Sequence, residues 1–235
     1  MFKKREKQII VLSLGGSLMF SDNCNEINVG LLNNFKKIIL KNSKKFKFVI
    51  VTGGGVIART YINALKKNNS SKYLQGLSGI ASTRLNARFL SYFFDKDPKE
   101  GIPHNMKQIK KFLKRNDVIF CGALKYEPNE TSDATSVKIA NYLNAKFINI
   151  TNVDGLYDKD PKKFKNAKFI KQISNKELLE LVNKMTYQPG QHFIIDHGAA
   201  RIIYKSKVKT VIIGKSPKNL DNLLNNKDFK GTIVY

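Results

Sequence analysis

Residues 51–60 read VTGGGVIART, and three consecutive glycines here separate a strand pattern from a helix pattern. The apolar run KFKFVIV, residues 45–51, precedes the glycines, and Arg59 lies one helical turn after them. Glycines between a strand and a helix are typical of a loop that brings bare main chain close to an anion. The spacing fits neither the dinucleotide-binding fingerprint nor the Walker phosphate-binding loop.

Outward from these glycines, short apolar runs alternate with amphipathic helical patterns. The runs predicted to be strands are 8–14, 47–52, 117–123, 146–152, 192–196 and 208–214. Helices are predicted at 29–42, at 79–94, at 133–145 and directly after residue 55, where Ile57, Tyr61, Ala64 and Leu65 form an apolar stripe. This alternation predicts one α/β domain, residues 1–235, with a mainly parallel sheet covered by helices on both faces. Segment 155–174 interrupts the alternation and predicts a β-hairpin or an extended excursion rather than a crossover helix.

The composition bounds the class of protein. No apolar run reaches the roughly 18 residues of a membrane span, so no membrane partner is expected. The N-terminus is basic and then apolar, but Gly15, Gly16 and Ser17 interrupt it early, and we interpret 8–14 as a core strand rather than part of a signal peptide. Cys24 and Cys121 lie far apart, without metal-ligand spacing. A reducing compartment and a cytoplasmic location are therefore expected.

The net charge of +24 leaves three interpretations open. Clustered lysines would indicate a nucleic-acid partner, but here they are spread along every segment, which makes nucleic-acid binding the least favoured. A basic surface that attracts small phosphorylated substrates is a second interpretation. A solvated exterior without a specific role is the third.

Glycines follow the predicted strands at three places: Gly15-Gly16-Ser17, Gly53-Gly54-Gly55 and Gly122. Ligands of parallel sheets collect beyond the carboxyl ends of the strands. Two glycine loops that each lead into a helix predict a site for two phosphate groups facing one another. A single GGS is more often a tight turn, whereas two such loops in one chain favour phosphate binding.

Polar side chains near these loops are candidates for the same site. The guanidinium of Arg59 is placed to bind a phosphate, and its alternative is an ordinary surface arginine. Thr131, Ser132 and Asp133 begin a predicted helix. They are either N-capping residues or two hydroxyl donors for a phosphate with a carboxylate for Mg²⁺, and their spacing does not separate these readings.

The stretch ITNVDGLYDKDP, residues 150–161, contains three carboxylates but lacks the spacing of an EF-hand calcium loop. A turn with Asn, Asp, Gly and an aromatic residue after a strand is compatible with binding a base and ribose. The three histidines, His104, His192 and His197, have no zinc-binding spacing. No GxSxG motif or Cys/His pairing indicates nucleophilic catalysis.

Taken in order, these segments resemble the amino-acid kinase superfamily and, within it, the archaeal-type uridylate (UMP) kinases. The resemblance is carried by 11–20, 51–65, 79–90, 131–145, 150–163, 194–215 and 231–235, which is nearly the whole chain. TNVDGLYxxDP is the most specific element and GGS the least. Acetylglutamate and isopentenyl phosphate kinases usually have His before the second glycine loop, and Thr52 at this position is similar to the nucleotide-accepting branch.

This resemblance implies a three-layer αβα fold of the carbamate kinase-like type. It implies transfer of the γ-phosphoryl group of ATP to the phosphate of UMP, with Mg²⁺ as cofactor and a homohexamer built from dimers. The N-terminal part would bind the acceptor and the C-terminal part ATP. The implied catalytic residues are Asp133, Arg59 and Lys215. The implied ATP-binding residues are Ser13, Leu14, Gly15, Gly16, Ser17, Gly55, Arg59, Thr151, Asn152, Tyr157 and Asp160. The implied UMP-binding residues are Gly54, Gly76, Gly122, Thr131 and Ser132. Side-chain spacing predicts no metal site, so Mg²⁺ would be held through the phosphates, with Asp133 as a candidate ligand.

The chain departs from the family pattern near the acceptor and the reacting centre. Ser13 stands where many relatives have Lys, and Lys215 is the candidate replacement cation. Gly76 stands where the family usually has an Asp that holds the ribose, and Val56 replaces a polar residue. Two alternatives follow: a kinase of the same fold for another small phosphate or carboxylate, and a nucleotide-binding protein without catalysis.

Overall fold

The computed structural model describes residues 6–21, 26–97, 99–128, 130–161, 163–184 and 194–235, with only the backbone of Ser17. Cys24 and His192 therefore lie outside the described residues. The strands are β1 (Gln8–Leu14), β2 (Phe46–Thr52), β3 (Val118–Cys121), β4 (Lys146–Thr151), β5 (Leu156–Tyr157), β6 (Phe169–Ile170), β7 (Gln172–Ile173), β8 (Thr210–Gly214) and β9 (Gly231–Val234). The helices are α1 (Gly16–Met19), α2 (Val29–Asn42), α3 (Gly55–Lys67), α4 (Lys72–Phe93), α5 (Met106–Arg115), α6 (Ser132–Tyr142), α7 (Asn175–Lys184), α8 (His197–Ser206) and α9 (Pro217–Leu224).

The central sheet has seven strands in the order β3-β2-β1-β4-β8-β9-β7. The pairs from β3 to β8 are all parallel, and β9 runs antiparallel to β8. This confirms the mainly parallel α/β sheet. Consecutive residues of β1 and β2 are buried. Because neighbouring side chains of a strand point to opposite faces, both faces of the sheet are covered, as the predicted three-layer arrangement requires.

The interrupting segment forms a hairpin, which is the first of the two predicted alternatives. β5 pairs antiparallel with β6, with Leu156 opposite Ile170 and Tyr157 opposite Phe169. The chain then returns to the main sheet, where β7 pairs with β9. None of the helices in the described ranges is long and apolar enough to cross a membrane.

Two local predictions were wrong. No residue of α3 is buried, and Tyr61 of the predicted apolar stripe is 53% exposed, because α3 packs chiefly on α4 and not on the sheet. The predicted strand 192–196 is not a strand in its described part, Ile194–Asp196. Asp196 instead begins α8: its carboxylate accepts a hydrogen bond of 2.8 Å from the main-chain N–H of Ala199.

Candidate active site

The two glycine loops touch at the carboxyl ends of neighbouring parallel strands. Leu14 is paired with Thr52 at the end of the β1–β2 register, so Gly15 and Gly53 leave the sheet side by side. A β-carbon on Gly16 would stand only 2.1 Å from the main-chain nitrogen of Gly55, and one on Gly53 would stand 2.6 Å from the nitrogen of Gly16. Gly55 also has a φ of +61°, which side chains disfavour. Main-chain contact between the loops therefore explains why glycine occurs in both.

The second loop also begins a long helix. Gly54 is the N-cap of α3 and offers no side-chain acceptor to the first N–H groups of that helix. These donors, together with the partial positive charge of the helix N-terminus, suit a phosphate. A β-carbon on Gly54 would stand 2.4 Å from that of Ala58, so a side chain does not fit at this position. The main chain at this end of α3 is therefore not covered by a side chain of residue 54.

A pair of carboxylates lies near Ser13, two residues before the first glycine loop. The buried hydroxyl of Ser13, near the end of β1, donates a hydrogen bond of 2.7 Å to Asp133 in the first turn of α6. Burial and the nearby negative charge of Asp196 raise the pKa of Asp133 to about 7, while the Ser13 hydrogen bond acts in the opposite direction. Asp133 thus holds its charge only weakly near neutral pH, which is the behaviour expected of a group that a cation would stabilise.

The Thr131 hydroxyl connects the carboxylate of Asp196 to the main chain of Asp133. It donates a hydrogen bond to Asp196 and accepts one of 3.1 Å from the main-chain N–H of Asp133. Thr131 is therefore the N-cap of α6, as one of its two predicted roles required. Sequence reasoning missed Asp196, although the run Asp-His-Gly-Ala-Ala is a helix-start signal. Only the folded chain shows that this second carboxylate lies beside Asp133.

A cavity of about 570 Å³ opens beside Gly54, between α3, α4 and the segment 123–135. Four of the five predicted acceptor residues line it: Gly54, Gly76, Thr131 and Ser132. The fifth, Gly122, packs instead against α4, where a β-carbon would stand 2.5 Å from the Thr83 Oγ1 and 2.6 Å from the Arg84 nitrogen. Its neighbour Ala123 lines the cavity.

Helix α4 holds the cavity wall and the second glycine loop in place. Arg84 donates hydrogen bonds to the carbonyls of Ala123, at 3.1 Å from Nε, and of Leu124, at 2.6 Å from Nη2. The Thr83 hydroxyl accepts a hydrogen bond of 2.9 Å from the Ala123 N–H. The buried Asn86 amide donates to the Gly53 carbonyl at 2.7 Å. Sequence reasoning missed these three residues because their partners are main-chain atoms distant in sequence.

The residues predicted to bind adenosine lie on the segment that follows β4. Thr151 closes a turn, since its hydroxyl donates to the Val153 carbonyl at 2.8 Å and accepts from the Val153 N–H at 3.1 Å. Asn152 is exposed, and the Tyr157 ring packs edge-on against Phe169 at 5.3 Å. The Asp160 carbonyl accepts hydrogen bonds from two following N–H groups and turns the chain towards β6. Leu14 is buried at the end of β1, so only its main chain is available to a ligand.

The two predicted cationic groups are both exposed. Arg59 lies in the second turn of α3, and Lys215 directly follows β8. Neither forms an ion pair with any residue that the structure describes. Both side chains are thus available to anionic ligands. In the same described ranges no cluster of three or more His, Cys, Asp or Glu side chains forms a protein-only metal site.

Comparison with known proteins identifies related chains. The model of the amino acid kinase family matches residues 8–214. A uridylate kinase of Methanococcus aeolicus is 34% identical over 228 residues, covering 96% of this chain and 98% of the relative. A uridylate kinase of Archaeoglobus fulgidus is 34% identical over 212 residues, covering 90% and 93%.

Solved structures give the same result. The crystal structure of uridylate kinase from Archaeoglobus fulgidus superimposes with a TM-score of 0.82 at 33% identity, covering 96% of this chain and 99% of that one. A UMP kinase from Ureaplasma parvum matches with a TM-score of 0.80 over 97% and 99% of the two chains. At 24% identity this second likeness speaks for the fold alone.

Proposed function

The chain belongs to the amino acid kinase family, and from that premise we propose that it is a UMP kinase. In this reaction an oxygen of the UMP phosphate attacks the γ-phosphorus of ATP, the bond from that phosphorus to the β–γ bridging oxygen breaks, and UDP and ADP result. The proposal is supported by the archaeal relatives named uridylate kinase, which align over nearly the whole chain.

The main-chain contact between the two glycine loops is the observation that carries the proposal. Because Gly16 and Gly55 touch without side chains between them, phosphates bound on either side of this contact would approach closely enough to react. Phosphoryl transfer needs little from a protein beyond such positioning and the neutralisation of charge. The acceptor cavity opens at Gly54, on one side of the contact.

The two substrates would occupy different parts of the chain. UMP would bind in the cavity between α3 and α4, with its phosphate at the Gly54 main chain and the hydroxyls of Thr131 and Ser132. ATP would place its phosphates along Gly15, Gly16 and Ser17 and its adenosine against the segment 151–160. The N-terminal part would thus bind mainly the acceptor, and the C-terminal part mainly the donor.

Arg59 and Lys215 would neutralise charge at the reacting centre. Their exposed side chains form no ion pair with the residues that the structure describes. Asp133 would orient the charged groups, and its pKa of about 7 would fall once a cation lay beside it. Ser13 supplies a hydroxyl where many relatives have a lysine, so the positive charge must come from elsewhere in this chain.

The residues also fit Mg²⁺ as the cofactor of the reaction. Two carboxylates, Asp133 and Asp196, and two hydroxyls, Ser13 and Thr131, provide the oxygen ligands that Mg²⁺ prefers. When bound, Mg²⁺ would neutralise phosphate charge in the transition state. A protein-only site is not required, because Mg²⁺ commonly binds through one or two carboxylates and the phosphates of the substrate.

An assay of ADP formation with ATP, Mg²⁺ and a panel of acceptors tests the function. We expect UMP to be preferred over CMP, dUMP and isopentenyl phosphate. Preference for a non-nucleotide acceptor would favour a different kinase of this fold, an alternative motivated by Gly76. Tight ATP binding without turnover of any acceptor would favour a nucleotide-binding protein without catalysis.

We also propose a homo-oligomer, with a hexamer built as a trimer of dimers as the expected form. Helix α4 supports this proposal because it exposes a run of large apolar side chains: Tyr73, Leu74, Leu77, Leu85 and Tyr92. Light scattering on the purified protein should give six times the chain mass of 26.7 kDa. The cytoplasmic location and the absence of a nucleic-acid partner stay predictions.

A further inference from the structure

Gly76 and Tyr126 form a close contact in the wall of the acceptor cavity. A β-carbon on Gly76 would stand 2.3 Å from Cε2 and 2.5 Å from Cδ2 of the Tyr126 ring. Both residues line the cavity. Gly76 therefore leaves a notch in α4, and the edge of the Tyr126 ring fills it.

The Tyr126 ring is held from a second side. Tyr73 packs against it edge-to-face, with 5.1 Å between ring centroids and 89° between ring planes. Tyr73 and Gly76 are three residues apart in α4 and so lie on the same side of that helix. Tyr126 is part of the segment between β3 and α6, and two contacts with α4 thus fix its ring.

The level along α4 at which Tyr126 packs indicates which part of a bound nucleotide it would contact. Gly54, at the end of the cavity proposed to hold the phosphate, lies at the level of Gly79 and Ser82: its β-carbon would stand 3.5 Å from the Gly79 oxygen and 3.6 Å from the Ser82 Cβ. A helix rises about 1.5 Å per residue, so Gly76 lies about 4.5 to 9 Å further along the axis. This offset is comparable with the separation of the phosphate and the base in a nucleotide.

We infer that Tyr126, seated in the notch at Gly76, binds the base of the acceptor nucleotide by stacking, an inference that rests on the proposed function. Ile62 and Ile80 also line the cavity and offer apolar contacts to the face of a base. Stacking on an aromatic ring contributes about 1–3 kcal/mol per base and does not distinguish one base strongly from another. Tyr126 therefore separates base-bearing acceptors from aliphatic phosphates, and UMP from CMP only weakly.

Replacement of the ring tests this inference. Tyr126→Ala should raise KM for UMP about tenfold and KM for CMP by a similar factor, and leave KM for ATP unchanged. Tyr126→Phe keeps the ring and should keep the wild-type KM values. Tyr142→Ala, which removes an exposed tyrosine on α6, is the matched control and should behave as wild type.

A competitor without a base separates stacking from mere support of the cavity wall. Ribose 5-phosphate has the sugar and the phosphate of UMP, so its inhibition constant should be the same in the wild type and in Tyr126→Ala. If its inhibition weakens as much as UMP binding does, Tyr126 acts on the sugar or on the wall, and the inference is overturned.

The notch itself is tested by a double-mutant cycle. Gly76→Ala should displace the ring and raise KM for UMP nearly as much as Tyr126→Ala does. In the Tyr126→Ala background the same change should have little further effect, since the added methyl group then has room. Melting temperatures give a folding control, because alanine in a helix interior is more stable than glycine wherever no clash occurs.

The possible results are distinguishable. A wild-type protein that phosphorylates UMP, with an unchanged KM in Tyr126→Ala, overturns this inference and leaves the proposed function intact. Additive effects of Gly76→Ala and Tyr126→Ala also overturn it. A wild-type protein that does not phosphorylate UMP overturns the proposed function, and this inference with it.

Discussion

The Ser13 hydroxyl donates a hydrogen bond of 2.7 Å to Asp133 and so joins β1 to α6 across 120 positions of the chain. Asp133 is under opposing influences: burial and the charge of Asp196 raise its pKa to about 7, and the bond from Ser13 lowers it. The pKa of this carboxylate thus lies near neutral pH, and from it we predict how stability and activity change with pH.

Asp133 should destabilise the folded chain increasingly as the pH rises from about 4 to about 7. Its ordinary pKa is 3.8, so in this range the folded state binds the proton more tightly than the unfolded state does, and the free energy of unfolding falls with rising pH. Asp133→Asn removes this dependence. We expect its melting temperature to exceed that of the wild type at pH 8 and this difference to shrink towards pH 4. The corresponding gain in the free energy of unfolding at pH 8 has an upper limit of about 4 kcal/mol. The exposed Asp97→Asn is the control. An Asp133→Asn effect that is constant across pH would contradict the raised pKa.

Activity should also depend on the protonation state of Asp133. If the ionised form of Asp133 orients the charged centre, kcat/KM of UMP phosphorylation should fall below about pH 7. Ser13→Ala removes the hydrogen bond that lowers the pKa of Asp133, so the acidic limb of the pH profile should move to higher pH. Initial rates at a series of pH values measure both profiles. An acidic limb at the same pH in the two proteins would mean that another group controls it.

Arg59→Ala should lower turnover at least tenfold, which corresponds to about 1.4 kcal/mol or more in the barrier. The substitution removes a guanidinium from the second turn of α3, close to the contact between the glycine loops. This guanidinium forms no ion pair with the residues that the structure describes, so it is available to a phosphate. Steady-state rates with saturating ATP and UMP measure the effect. Arg201→Ala, at an exposed position of α8, should keep wild-type rates. Equal rates in the two variants would place the phosphates elsewhere.

Sequence patterns predicted the parallel sheet and the glycine loops because both depend on local signals, apolar runs and residues without side chains. Asp196, Thr83, Arg84 and Asn86 were missed because their roles depend on partners 33 or more positions away. Tyr61 was misplaced for a related reason: a periodic apolar stripe indicates a helix but does not say whether the sheet or another helix covers it. The role of Gly122 in binding the acceptor stays a prediction, and the sequence did not indicate its close contact with Thr83 and Arg84 of α4.

Arg84→Met should raise KM for UMP several-fold and leave KM for ATP unchanged. The guanidinium holds the carbonyls of Ala123 and Leu124, and methionine keeps the length of the side chain but donates no hydrogen bond. The wall of the acceptor cavity would then lose its attachment to α4, with a loss of about 1–2 kcal/mol in folding stability. Arg88→Met, one turn later in α4 at an exposed position, is the matched control. A parallel rise of both KM values would indicate a general loss of structure instead.

Gly16→Ala should abolish measurable turnover, because the added methyl group would stand 2.1 Å from the Gly55 nitrogen and 2.5 Å from its Cα. Both are main-chain atoms, so the two strand ends must separate, and the phosphates bound on either side would separate with them. Overpacking of this kind costs about 1–3 kcal/mol, which a lowered melting temperature should report. Gly30→Ala is the matched control: its β-carbon meets no atom within 4 Å, so turnover should be kept and the melting temperature should not fall, since alanine favours the helix more than glycine does. If Gly16→Ala phosphorylates UMP at the wild-type rate, the contact between the loops does not position the reacting groups, and the catalytic centre must be sought away from the ends of β1 and β2.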